Sequence, residues 1–337
     1  MKKVSQGFSS LGVLLTLFFV SIVVAAFAVL FGTVNISIVK KDNDLKELQT
    51  IEKLLEKIIE EIRKDETPDV DSKIDPVWQL NNMEIDSCKI EIKSLSGLLN
   101  INTTPTIILS LPDIKKLYLE PEVPSVIENY KASGKLYNND EQLLELIDSE
   151  IMDKYFCYYG YSNINIADDY GLTNIVNSLS KSNNGEYLIQ KRKSLLNNKQ
   201  YIQSEINLKM VTGIEYDSLT PIVNTKPVLN INFVEEDILN ALISYQGFNI
   251  SGVNQKVGNI VNLRETSEIS QNEICNILGI SKNNELYYYL GDKTWMWQIV
   301  VTGKRKKCTM VICRKPEEEE ISFKTPEFFV IEKKWYE

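Results

Sequence analysis

The sequence predicts an α+β fold in which a long N-terminal helix packs on an antiparallel sheet and a large helical insertion interrupts that sheet. Three observations carry this expectation. A charge-free run from Val4 to Val39 leads without a Pro or Gly break after Thr33 into an amphipathic segment. An Asn-Ile-Asn core recurs three times in the middle of the chain. Residues that favour strands gather just before the first of these cores and again near the C-terminus.

Composition narrows the chemistry first. With 43% hydrophobic and 25% charged residues, the 337-residue chain has the makeup of a folded protein. It is long enough for an anchor plus one or two domains with a core of their own. The chain has no histidine. That removes the Ser-His-Asp triad, the Cys-His pair and every His-ligated metal site. A net charge of −9 repels phosphate backbones and makes nucleic acid a poor partner. The cysteines are Cys88, Cys157, Cys275, Cys308 and Cys313, with no CxxC among them, so neither a zinc knuckle nor a thioredoxin-like motif is present. Cys308 and Cys313, five apart on one strand, would face opposite sides and serve as small core residues.

The apolar run is long enough to cross about 30 Å of hydrocarbon as a helix. Lys2 and Lys3 precede it, and Lys40 and Lys41 follow it. Its length exceeds the apolar region of a cleaved secretory signal. Leu45, Leu48, Ile51, Leu55, Ile58 and Ile62 then recur at steps of three and four, with Lys, Glu and Asp between them. The spacing predicts one helix from about Phe8 to Lys64, roughly 85 Å long at 1.5 Å per residue.

The repeated segments are LLNINTTPTIIL, YSNINIADDYGL and VLNINFVEEDIL. Their second asparagines are Asn102, Asn165 and Asn232, and a leucine follows each by seven residues: Leu109, Leu172 and Leu239. Each asparagine is expected to end a short extended piece and to cap the following helix. Glu235 then completes a capping box with Asn232, Asp168 suits a helix N-terminus, and Pro105 fits near a helix start. A second helix follows in each unit, carrying Ile127-x-x-Tyr130, Ile189-x-x-Arg192 or Val261-x-x-Arg264. A third begins at LYNNDEQLLELI, YIQSEINLKMV or EISQNEICNILGI, with capping boxes at Asn138/Glu141 and Ser270/Glu273.

Strands are predicted over MEIDSCKIEIKSL, and over WMWQIVVTG, CTMVIC and EFFVIEKKWY. Gly303 to Lys307 is a polar turn between two of them. Glu317 to Glu320 could offer oxygen ligands to calcium, as could Asp168 and Asp169, but a solvated loop and a helix start account for them.

The basic leader, Gly7-Phe8, the apolar helix and its amphipathic continuation resemble the N-terminus of type IV pilins and type II secretion pseudopilins. The resemblance implies that a prepilin peptidase cuts after Gly7 and methylates Phe8. Most family members carry Glu at the fifth mature position, where this chain has Gly12. The large minor pseudopilin, protein K, is the class that lacks it. A Glu there pairs with a neighbouring subunit's terminal amine inside lipid, so its absence suits the filament tip. The Asn-x-Asn-Thr opening is similar to the helix-hairpin-helix units of DNA-uptake proteins, and more closely to the helical insertion of protein K. The turns Pro112-Asp113-Ile114, Ser182-Asn183-Asn184 and Tyr245-Gln246-Gly247 lack the Gly-apolar-Gly form that presents amides to phosphate.

The organisation expected is a leader over 1–7, a transmembrane and stalk helix over 8–64, and the first part of a pseudopilin sheet over 65–98. A helical insertion over 99–290 follows, with units opening near 99, 162 and 229, and the last strands lie over 291–337. The resemblance implies a minor pseudopilin without catalytic residues, anchored in the inner membrane with its bulk in the periplasm. It implies other minor pseudopilins, the prepilin peptidase and secreted cargo as partners, and no nucleic acid. Calcium is bound in the insertion of protein K relatives, but no spaced ligand motif assigns residues to a metal here. The alternatives are a minor type IV pilin or competence-type protein handling DNA, a membrane-anchored carboxylate hydrolase, and a plain anchored interaction domain.

Overall fold

The computed structural model describes residues 40–64, 70–180, 184–198, 200–202, 222–315 and 327–336, together with Phe18, Ser21, Phe27, Val29 and Phe31. Most of the apolar run, including Gly7, Phe8 and Gly12, lies outside the described residues, as does Glu317 to Glu320. Among the described residues no helix is long and apolar enough to cross a membrane.

The amphipathic segment forms a helix over 40–63, α1. Its apolar stripe, Ile51, Leu54, Leu55, Ile58 and Ile62, is buried against one face of a five-stranded antiparallel sheet. Burying five aliphatic side chains contributes about 10 kcal/mol before conformational entropy is subtracted. Charged residues fix α1 along the sheet. Glu47 accepts from the backbone N–H of Arg305 at 2.8 Å, Asp44 pairs with Arg305 at 3.0 Å, and Glu52 pairs with Lys333 at 2.5 Å.

The sheet is built from β1 (Glu84–Ile85), β2 (Cys88–Ser94), β9 (Met296–Thr302), β10 (Lys307–Arg314) and β11 (Phe328–Tyr336), in the order β1-β2-β9-β10-β11. The first strand segment is a hairpin rather than one strand. Asp86 and Ser87 both have positive φ, 51° and 62°, and form the two-residue turn that reverses the chain. The alternation of Cys88, Ile90 and Ile92 places these residues under α1. Cys308, Met310 and Ile312 share that face, whereas Val311 and Cys313 pack on the opposite one. The expected opposition of Cys308 and Cys313 is therefore observed. All five cysteines are free thiols. Burial pushes Cys157 up to about 12 and Cys308 up to about 11, away from thiolate reactivity.

Between β2 and β9 the chain leaves the sheet and forms a mostly helical block. The first unit contains β3 (Leu99–Asn100), α2 (Thr106–Leu109), α3 (Pro112–Lys115), α4 (Val123–Ala132), α5 (Glu141–Leu144), α6 (Ser149–Tyr155) and β4 (Phe156–Cys157). The second contains β5 (Ser162–Asn163), α7 (Asp169–Ser180), α8 (Asn184–Asn197) and β6 (Val223–Asn224). The third contains β7 (Leu229–Asn230), α9 (Glu236–Ser244), α10 (Val253–Arg264), α11 (Gln271–Leu278) and β8 (Leu290–Gly291). The fold is thus α+β, with one sheet face under α1 and the other facing the block. Tyr161 stacks on Trp295 at 5.4 Å, and the Tyr159 hydroxyl donates to Glu332 at 2.7 Å across that second junction.

Candidate functional site

The block is the most distinctive part of the molecule, and one local rule generates it three times. Each unit opens with a two-residue strand and closes with another that runs parallel to it: β3 with β4, β5 with β6, β7 with β8. Parallel pairing requires a long crossover, and here the helices of the unit are that crossover. The isoleucine between the two asparagines, Ile101, Ile164 or Ile231, is fully buried, and so are Leu109, Leu172 and Leu239.

The first asparagine of each core is a local brace. Asn100, Asn163 and Asn230 accept through Oδ1 from the backbone N–H two residues on, at 3.0, 2.8 and 2.9 Å. Such an Asx turn holds the knuckle that leads from strand to helix. The amide nitrogen reaches outward. Asn100 donates to the Gly160 carbonyl at 3.1 Å and Asn163 to the Lys226 carbonyl at 2.8 Å, both in the linker to the following unit.

The second asparagine departs from expectation. Asn102, Asn165 and Asn232 are not helix caps. The helices behind them start after Pro105, Asp168 and Glu235, and Asp168 itself accepts from Gly171 N–H at 2.8 Å. Each second asparagine instead brackets one distant residue with both ends of its amide. Oδ1 accepts from the N–H of Tyr137, Ile202 or Ile269 at 2.8, 2.8 and 3.0 Å. Nδ2 donates to the carbonyl of that same residue at 2.9, 2.9 and 3.2 Å. The physical reason is burial. Asn102, Asn165 and Asn232 are at most 5% exposed, and a buried extended segment must satisfy both its N–H and its C=O. A primary amide is the one neutral side chain that offers both partners in the needed arrangement.

A cation completes each knuckle. Lys131 donates to the Thr104 carbonyl at 3.2 Å, Arg192 to the carbonyls of Ile164 and Ala167, and Arg264 to those of Ile231 and Val234. Each lies four residues after a buried aliphatic residue, Ile127, Leu188 or Ile260. The equivalent of Arg192 and Arg264 in the first unit is therefore Lys131, not Tyr130, a shift of one residue from the sequence expectation. Lys131 is fully buried and Arg192 is 5% exposed. Burial lowers the pKa of both, and the Asp168 and Asp169 carboxylates beside them oppose that shift.

Units are also joined laterally. Lys131 of the first unit pairs with Asp168 of the second at 3.2 Å, and Asn174 Nδ2 donates to the Lys131 carbonyl at 2.8 Å. A Cβ at Gly171 would overlap the Asn102 carbonyl oxygen, so glycine is what lets α7 approach the first knuckle. Units one and three share a core, and the Tyr155 hydroxyl donates to Asp237 at 2.6 Å between them. The three meet around a void of about 20 Å³ lined by Asn100, Thr104, Ser162, Ile166, Leu229 and Tyr289. It is far below the several hundred Å³ of an organic-ligand site.

Of the carboxylates considered as metal ligands, Asp168 and Asp169 lie among the described residues and have other partners. Asp168 binds Gly171 and Lys131, and Asp169 binds Arg192 and Lys193. Among the described residues no group of three or more Cys, Asp or Glu is arranged to hold a metal ion. The capping box Ser270/Glu273 is formed at α11. At α5 the reciprocal pair is shifted, with Asn139 accepting from Gln142 N–H and Gln142 accepting from Asn138 N–H. The expected turn Pro112-Asp113-Ile114 lies within α3, and Gln246 to Phe248 forms a single 3-10 turn with Phe248 buried. Ser182 and Asn183, and the third-helix start after Ile202, lie outside the described residues. No protein-family model matches this sequence, and no curated protein is significantly similar to it.

Proposed function

We propose that the chain is a minor pseudopilin of a type II secretion filament, the large tip subunit that resembles protein K. The observation that supports this reading most is architectural: a stalk helix lies along one face of an antiparallel sheet, and a three-unit helical block is inserted between β2 and β9 on the other. Its work is assembly and mechanical support of secretion, without catalysis. The apolar run anchors it in the inner membrane and bundles with the corresponding helices of other minor pseudopilins. The prepilin peptidase acts at Gly7 and Phe8, and the lack of a Glu at Gly12 suits a subunit with no other ahead of it. The block, held in the periplasm, caps the filament or meets secreted cargo. Mass spectrometry of the mature N-terminus tests the reading in cells with an active prepilin peptidase. The expected species starts at methylated Phe8, and an uncut Met1 overturns the proposal.

A further inference from the structure

In the first two units the outward amide of the leading asparagine finds its acceptor in the linker to the next unit, at Gly160 and at Lys226. The third unit has no successor. Its linker runs directly into β9, yet Asn230 is fully buried and its Nδ2 still needs a carbonyl. The Thr294 hydroxyl in that linker accepts from it at 3.1 Å, and the carbonyl acceptor comes from the opposite direction along the chain. Asn230 Nδ2 donates to the Asp71 carbonyl at 2.9 Å, and Asn232 Nδ2 donates to the same oxygen at 3.1 Å.

Asp71 is built into this place from every side. Its N–H donates to the Asp292 carbonyl at 2.8 Å, and its carboxylate accepts from Thr294 N–H at 2.7 Å. Both oxygens of that carboxylate also hold Arg314 of β10, at 3.1 and 2.9 Å. Asp71 and Arg314 are 4% and 5% exposed. The next residues continue the seam: the Ser72 hydroxyl donates to Glu268 at 3.1 Å, just ahead of the bracketed Ile269. These residues follow α1 by only a few positions. The Asp71 carbonyl takes the part that the Gly160 and Lys226 carbonyls take in the first two units.

We infer that residues 70–75 are the closing cap of the helical array, supplied by the connector that follows the stalk. Repeat arrays need terminal elements that satisfy what an absent neighbour would have satisfied. Here one strap does this and is ion-paired to the sheet, so seating the connector and closing the third unit are a single event. This inference does not depend on the secretion reading.

The test is hydrogen exchange, read by mass spectrometry on the full-length protein in detergent, comparing wild type with Asp71→Ala and with the milder Asp71→Asn. Both variants lose the carboxylate that holds Arg314 and Thr294. The expected result is at least tenfold faster exchange around Asn232 and Ile269, with the equivalent amides of Tyr137 and Ile202 unchanged. Wild-type exchange at Asn232 and Ile269, or equal acceleration in all three units, overturns the inference. If Asp71→Ala does not fold, Asp71→Asn gives the same reading on the same criteria.

Discussion

Asn165 holds Ile202 by both faces of its backbone: it accepts from the Ile202 N–H at 2.8 Å and donates to the Ile202 carbonyl at 2.9 Å. Replacing Asn165 by Leu leaves two buried backbone groups unpaired. The expected cost is about 2–6 kcal/mol, at about 1–3 kcal/mol per orphaned group. Chemical denaturation of the full-length protein measures it, and Asn102→Leu and Asn232→Leu should behave alike. Had these asparagines been helix caps, each change would cost only about 1 kcal/mol.

Two glycines in helices make opposite predictions. Gly171→Ala drives a methyl into the Asn102 carbonyl and should destabilise by about 3 kcal/mol. Gly258, inside α10, has open space around the position of a Cβ. Gly258→Ala should stabilise by about 0.5–1 kcal/mol. The difference between the two melting temperatures is the readout.

Lys131 and Asp168 form a buried ion pair between units. Lys131→Met strands a buried carboxylate and should cost about 3 kcal/mol. Lys131→Met with Asp168→Asn removes both charges, keeps an acceptor for Gly171 N–H, and should return to within about 1 kcal/mol of wild type. The pH dependence has a defined sign. Burial lowers the folded-state pKa of Lys131, so the unfolded chain binds more protons between that value and the ordinary lysine range. Stability therefore gains a rising contribution with pH across that window. Urea midpoints measured from neutral to alkaline pH should show it in wild type and not in the double variant.

At α11, Ser270 donates from its backbone and side chain to Glu273, which holds that carboxyl below the usual range. The stabilisation is complete above the unfolded carboxylate pKa and is lost as pH falls through the lower folded value. Glu273→Gln should flatten this acid-side loss, and Ser270→Ala should cost about 1 kcal/mol at neutral pH. Protection of the Ile274 and Cys275 amides reports both.

The repeat was legible because its buried positions are fixed in sequence: the isoleucine between the asparagines and the leucine seven after the second one. The stripe on α1 and the strands at the C-terminus were legible for the same reason, since burial on one face imposes a period. The asparagine brackets were not. Their partners lie 35 to 37 residues away and are Tyr137, Ile202 and Ile269, chosen by where a backbone passes rather than by side chain. A cation four residues after a buried aliphatic residue is the available signal for Lys131, and the aromatic Tyr130 beside it masks that signal. Asp71 left no trace in the pattern, because a carbonyl oxygen is present at every residue.

The pairing of β2 with β9 sets Ser94 opposite Trp297, with the whole helical block between them in sequence. During synthesis, the first unit can close once Cys157 has emerged and the second once Asn224 has. The sheet must wait for Trp297 and the strands after it. Until then Ile90 and Ile92 have no sheet to complete, and the stripe on α1 has nothing to lie against. The part of the chain made first is among the last to find its place, so a truncated product would leave the apolar stripe of α1 uncovered.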